Sequence, residues 1–190
     1  MKLVGIALII AVALALQTSF ARFLSPGANL IDLVFVAVVY IALTGGPAAG
    51  LLAGAVAGLA QDALAATGNS VIVVGPGIAT ARSIIGIGGL AKTVVGFAAG
   101  IIGSQFIVAR PLPRAFVFFT ANVAHAIIFM GFYQLIDPSY AQPSYGAMFS
   151  QAGANALVGV LAFQVAEMWP GFADRRHSGG GRMRINRRLD

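Results

Sequence analysis

Six long apolar segments follow one another along the chain, separated by short connections that contain polar residues, glycine or proline. Most of them approach the roughly 20 residues that a helix needs to cross a bilayer. The apolar runs are continuous rather than alternating, which favours helices over strands. The predicted membrane spans are residues 3–21, 28–44, 47–66, 84–109, 115–136 and 147–169. The pattern therefore predicts an all-α polytopic membrane protein, a bundle of six transmembrane helices.

The composition agrees with this pattern and narrows the chemistry. Hydrophobic residues make up 58% of the 190 residues and charged residues 9%, against roughly 45–50% and 25% in soluble domains. The sequence has no cysteine, which excludes disulfides, thiolate nucleophiles and cysteine-bound metals. We expect one six-helix domain over residues 1–170, and a disordered basic cytoplasmic tail over 171–190.

The distribution of lysine and arginine predicts the orientation in the membrane, because cytoplasmic connections carry an excess of these residues. With six spans both termini lie on one side, and that side carries nine of the basic residues. The other side carries two, Arg22 and Arg82. Both termini are therefore expected in the cytoplasm of a bacterial inner membrane. The six tail arginines are expected either to act as an orientation signal or to lie along anionic lipid. The sequence does not favour nucleic-acid binding, because no aromatic residue is interleaved with these arginines.

Ionisable residues inside spans are costly in lipid, so each one is a candidate for function. Asp32 and Asp62 each lie four residues inside the predicted outer ends of spans two and three. Lys92 starts deeper in span four, and its long side chain can extend outward to the level of the acids. We expect a buried Asp62–Lys92 ion pair, the alternative being separate solvation at the head groups. Glu167 is expected at the cytoplasmic interface near Arg175 and Arg176.

Uncharged polar residues form a second candidate group. Spans five and six carry polar residues at helical spacing, which predicts a polar seam formed by Asn122, His125, Gln151 and Asn155. The seam serves either as packing through interhelical hydrogen bonds or as a proton relay, although no acid is expected at the depth of His125. No catalytic, cofactor or metal site is expected.

Small residues recur every four positions on spans three and four. This spacing lets helix backbones approach closely, either within the bundle or against a partner. The helix-packing glycines are Gly50, Gly54, Gly58, Gly96 and Gly100.

Three segments resemble the rod shape-determining protein MreD family. They are PGANLIDL at 26–33, GAVAGLAQDAL at 54–64 and GIGGLAKTVVGF at 86–97. They are similar to the family's opening of span two, its Gly-Leu-x-x-Asp segment ending span three, and its small-residue start of span four. The length, the six spans and the short basic tail agree with the family as well.

The resemblance implies a noncatalytic component of the bacterial cell-elongation complex, which synthesises peptidoglycan and sets rod shape. It implies binding to MreC and association with RodA and its penicillin-binding transpeptidase, with MreB a further candidate partner. It also implies a fold like the substrate-binding subunits of energy-coupling-factor transporters. That kinship supplies the alternative function, a vitamin or small-molecule uptake subunit. An intramembrane enzyme would need convergent reactive groups, and the ionisable residues are too scattered for one.

The predicted orientation can be tested by cysteine scanning, since the chain has no cysteine of its own. Single cysteines placed in 67–83 should react with a membrane-impermeant maleimide in intact cells, and cysteines in 175–190 should react only after permeabilisation. The reverse labelling pattern would refute the orientation.

Overall fold

The computed structural model describes residues 3–20, 31–67, 72–74, 77–79, 85–105, 110–136 and 144–168. These residues form six α-helices and one short β-hairpin. In chain order the elements are α1 Leu3–Phe20, α2 Leu33–Gly45, α3 Pro47–Thr67, β1 Ile72–Val74, β2 Gly77–Ala79, α4 Ile87–Gln105, α5 Pro111–Ile136 and α6 Tyr145–Met168. The prediction of an α-helical protein is confirmed, whereas the predicted tail over 171–190 lies outside the described residues.

Four helices are long and apolar enough to cross a membrane: α3, α4, α5 and α6. Helices α1 and α2 are apolar but shorter. Large hydrophobic side chains cover the outside of the bundle, among them Leu8, Leu90, Phe116 and Leu157. A long apolar helix with an apolar outer face is typical of a membrane-embedded protein.

Helix α2 is the centre of the structure. Its 13 residues give it a length of about 20 Å at 1.5 Å per residue, less than the roughly 30 Å of a bilayer core. Eight of its residues are buried, and it contacts α1, α3, α4, α5 and α6. Its sequence is apolar around the whole circumference, which is typical of a helix enclosed on all sides.

Two hydrophobic clusters lie on opposite sides of α2. Val34, Val38 and Ile41 pack with residues of α1 and α3, including Ile10 and Ala53. On the other side, α2 packs with α4, α5 and α6, through Phe35, Val39, Val95, Phe118 and Phe163. The short helix thereby joins both halves of the bundle.

Helices α3 and α4 approach each other closely along the glycines singled out above. A Cβ on Gly54 would lie 2.6 Å from the carbonyl carbon of Lys92, and one on Gly58 would lie 2.9 Å from the amide nitrogen of Gly89. A Cβ on Gly100 would lie 2.6 Å from the Cα of Pro47. Such distances leave no room for a side chain, so the glycines place the two backbones in direct contact within the bundle.

The start of α5 differs from the predicted span. Residues 110–114 were expected to form a cytoplasmic connection, but α5 begins at Pro111. Proline is well tolerated in the first turn of a helix, where its missing N–H would have no partner. Arg114 is therefore helical and 2% exposed rather than a loop residue.

The expected outer loop over 67–83 contains the hairpin. Strands β1 and β2 are antiparallel, with Ile72 opposite Ala79 and Val74 opposite Gly77. The hairpin was not predicted, because three-residue strands are too short for a periodic signal.

We predict that Gly54→Ala destabilises the protein, because the added methyl group forces α3 and α4 apart. Overpacking of this kind costs about 1–3 kcal/mol, which should lower the melting temperature in detergent followed by circular dichroism. The matched control is Gly153→Ala in α6, where nothing lies within 4 Å of the added Cβ. Equal melting temperatures for the two variants would contradict the close packing.

Candidate functional site, a buried polar cluster at the start of helix α2

The first turn of α2 begins inside the bundle and must satisfy its backbone N–H groups without bulk water. The first N–H groups of any helix have no partner within the helix, and leaving them unpaired in an apolar environment is costly. Asp32 is the N-cap residue, in an extended backbone conformation, and its Oδ1 accepts a hydrogen bond from the Phe35 N–H at 2.9 Å. A carboxylate in this position also interacts favourably with the helix dipole.

Side chains from two other helices complete this cap. Asn155 of α6 accepts a hydrogen bond from the Asp32 N–H through Oδ1 at 2.9 Å. Gln17 of α1 accepts one from the Leu33 N–H at 2.8 Å and donates one to the Ile31 carbonyl at 3.1 Å. The start of α2 is therefore tied to the first helix of the chain, α1, and to the last, α6. Gln17 was not among the predicted site residues, although it is an amide in an otherwise apolar segment.

The ion pair inside the bundle joins Lys92 to Asp32, not to Asp62 as expected. Lys92 Nζ lies 3.0 Å from Asp32 Oδ2, and the two side chains are 5% and 14% exposed. Asp32 thus uses one carboxylate oxygen to cap α2 and the other to bind α4. Because both charges are shielded from solvent, losing either one would leave the other without compensation.

Asp62 has a different role, at the start of α4. Its Oδ2 accepts hydrogen bonds from the N–H groups of Gly86 and Gly89, at 2.8 and 3.1 Å. Gly86 has a φ of +107°, a conformation that glycine adopts without strain. The reason for the correction is the helix boundary: α4 begins at Ile87 rather than at 84, so its first turn lies beside Asp62. The free N–H groups of that turn bind the carboxylate, and Lys92 lies more than one turn deeper.

Part of the predicted polar seam on α5 and α6 lies beside the Asp32–Lys92 ion pair. Asn122 is 3% exposed and Asn155 is fully buried, but Asn155 binds the α2 backbone rather than α5. The His125 ring centre lies 5.1 Å from that of Phe35 and 5.9 Å from that of Phe129. His125 also interacts electrostatically with Asp32 and Lys92, so an acid does lie near it. Gln151 is half-buried one turn before Asn155.

Three buried polar atoms of this cluster have no hydrogen-bond partner among the described residues. They are Asn122 Oδ1, His125 Nε2 and Asn155 Nδ2. Buried polar atoms are nearly always paired with protein or with ordered water. The cluster therefore has hydrogen-bonding capacity beyond the bonds that hold α2.

A second ion pair joins α5 and α6 at their other ends. Arg114 binds Glu167 through its guanidinium, which also lies 4.5 Å from the centre of the Phe163 ring. Glu167 is 41% exposed while Arg114 is 2% exposed. Glu167 thus pairs with Arg114, whereas its expected neighbours Arg175 and Arg176 lie outside the described residues. Both ion pairs join different helices, so their effect is to hold the bundle in one arrangement.

We predict that the buried charges are coupled as Asp32 with Lys92, and not as Asp62 with Lys92. Lys92→Met should lower the free energy of unfolding by about 3–5 kcal/mol, because it leaves an uncompensated buried charge. Asp32→Asn keeps the N-cap, since asparagine also caps helices, and adding it to Lys92→Met should recover part of that loss. The measurement is a double-mutant cycle from unfolding in detergent.

The matched cycle uses Asp62→Asn with Lys92→Met, whose effects should add to within about 0.5 kcal/mol. Strong coupling in this second cycle, with none between positions 32 and 92, would contradict the assignment.

Comparison of the chain with family models, with curated proteins and with solved structures finds no match.

Proposed function

We propose that this protein is a noncatalytic scaffold of the bacterial cell-elongation complex. In this proposal it crosses the inner membrane six times, keeps both termini in the cytoplasm and binds MreC. The observation that carries the proposal is the use of the charged side chains in the bundle: Asp32, Lys92, Asp62, Arg114 and Glu167 all bind other parts of the same chain. Charges used in this way stabilise one shape of the bundle, and that shape is what a partner would recognise.

The outer surface is suited to such a partner. Among the described elements, helix α1 contacts only α2 and α3, and its Val4, Leu8 and Val12 are 78%, 65% and 51% exposed. These residues follow one another at four-residue spacing and form a single apolar stripe. Helices in lipid associate partly through van der Waals packing of their side chains. A single-span protein like MreC would bind there or on another lipid-facing helix, and RodA with its transpeptidase would join through the same assembly.

The outer connections support the same proposal. The hairpin formed by Ile72–Val74 and Gly77–Ala79 follows α3, at the end of the bundle where Asp62 caps α4. In the proposed orientation this end faces the periplasm. A folded hairpin there offers a defined contact for the periplasmic part of MreC.

The alternative is a substrate-binding subunit of an energy-coupling-factor type transporter, and one observation favours it. The buried cluster at the start of α2 contains Asn122, His125 and Asn155 atoms that no described residue satisfies. Polar groups at the end of a helix that starts inside the membrane form the ligand sites of many transporters. In an uptake subunit these three side chains would bind the transported molecule.

The scaffold proposal is tested by a variant that removes the ion pair without leaving an unpaired charge. Asp32→Asn with Lys92→Met should still complement loss of the native gene in a rod-shaped bacterium, because a scaffold needs the shape of the bundle and not these charges. Cell shape is scored by microscopy, and binding by copurification of MreC with the tagged full chain. The single Lys92→Met variant is the matched control and should complement less well, because it is less stable.

Depletion of the wild-type protein should make rod-shaped cells round and leave uptake of vitamins unchanged. Retained rod shape together with lost uptake of one small molecule would contradict the scaffold and favour the transporter subunit.

A further inference from the structure

Three buried polar atoms beside the Asp32–Lys92 ion pair have no hydrogen-bond partner among the described residues. They are Asn122 Oδ1, His125 Nε2 and Asn155 Nδ2. Asn122 is 3% exposed and Asn155 is fully buried, so their side chains do not reach bulk water. Leaving such atoms unpaired in an apolar bundle is costly. The folded protein therefore needs a further hydrogen-bonding group at this place.

The three side chains lie at a similar level of the bundle and near the same helix end. Asn155 lies ten residues after the start of α6 and His125 eleven residues before the end of α5, which places both about 15–17 Å from those consecutive helix ends at 1.5 Å per residue. Asn122 lies one turn from His125 on the same face of α5. Asn155 binds the Asp32 N–H, and the centre of the His125 ring lies 5.1 Å from that of Phe35. All three therefore lie around the first turn of α2.

The first turn of α2 lies inside the bundle, short of the end of α3. Helix α2 has 13 residues and α3 has 21, and only Gly46 separates the two helices. At 1.5 Å per residue, α3 therefore continues about 12 Å past the level at which α2 begins. A further partner for the unpaired atoms must consequently be enclosed between the helices.

The unpaired atoms require an uncharged molecule that both donates and accepts hydrogen bonds. An amide oxygen only accepts, an amide nitrogen only donates, and the imidazole nitrogen of a neutral histidine does one or the other. The charges nearby are already compensated, because Lys92 Nζ lies 3.0 Å from Asp32 Oδ2. A bound cation would be repelled by Lys92, and a bound anion by Asp32.

We propose that ordered water binds among Asn122, His125 and Asn155, between α5, α6 and the start of α2. Water donates a hydrogen bond to Asn122 Oδ1, accepts one from Asn155 Nδ2, and can do either at His125 Nε2. Buried water typically makes about three hydrogen bonds to groups that are otherwise unpaired. Phe35 is fully buried and packs against the His125 ring, so the space beside these atoms suits water better than a larger molecule. The proposal does not depend on binding to MreC.

The test is radiolytic hydroxyl-radical footprinting of the purified full chain in detergent, read by mass spectrometry. The radicals form from water, so a buried ring is modified where bound water touches it. Phe35 should be modified several times faster than Phe163, because the two rings are equally buried, at 0% and 1% exposed. Phe163 packs instead against Tyr40 and Phe118. Equally slow modification of Phe35 and Phe163 would overturn the proposal.

A double variant tests which atoms hold the water. Asn122→Leu with His125→Phe replaces two of the three partners by apolar side chains of similar size, and should lower the modification of Phe35 to the rate of Phe163. The matched control Thr120→Val removes a hydroxyl group from an exposed position of α5 and should leave the modification of Phe35 unchanged. Melting temperatures show whether each variant is folded, and if the double variant is not, the comparison of Phe35 with Phe163 in the wild type still decides.

Two further results would overturn the proposal. The first is unchanged modification of Phe35 in a folded double variant. The second comes from native mass spectrometry of the full chain. A small molecule that the wild type retains and the double variant loses would show that the three side chains bind a ligand other than water, as the uptake subunit requires.

Discussion

The structure depends on satisfying one helix end inside an apolar bundle. Helix α2 is shorter than a bilayer core and contacts five other helices, and the N–H groups at its start bind side chains within the bundle. Asp32 binds the Phe35 N–H and Lys92 at once, while Gln17 and Asn155 bind the neighbouring backbone groups. Helices α1, α4 and α6 are consequently held around the same few atoms. The packing of the whole bundle is linked to this single point, because removing one partner leaves a buried polar group or a charge unpaired.

The close packing of α3 on α4 and the ion pair are parts of one arrangement. Gly54 lies against the backbone of Lys92, so α3 and α4 are close together, and α2 packs against both of them. The Lys92 side chain extends from α4 to the Asp32 carboxylate. Asp62 contributes by capping the start of α4. A side chain at Gly54 would therefore alter the position of Lys92.

This use of charge explains why the function is proposed for the outer surface. The described ionisable groups within the bundle bind other parts of the chain, so in the proposed function recognition falls to the apolar faces and the hairpin. The buried cluster is the exception, because Asn122, His125 and Asn155 retain unpaired atoms. A scaffold and an uptake subunit would use different parts of the same bundle: the first its outer faces, the second the interior around α2.

Local sequence was enough to predict the helices, because a continuous apolar run has a length and a period that do not depend on its neighbours. The glycine spacing likewise indicated close packing, since only small residues allow it. Which residue each buried charged side chain binds could not be predicted in this way. Asp32 and Asp62 lie at similar depths by residue count, and the start of α4, only three residues from the predicted one, decided that Asp62 caps a helix while Asp32 binds Lys92. Arg114 shows the same limit: residues 110–114 were predicted to be a connection between two spans, but helix α5 begins at Pro111 and directs Arg114 to Glu167. The sequence determined which residues are too polar to remain unpaired in lipid, and only the tertiary structure decided which of them pair, because pairing depends on the relative rotation and depth of helices far apart in the chain.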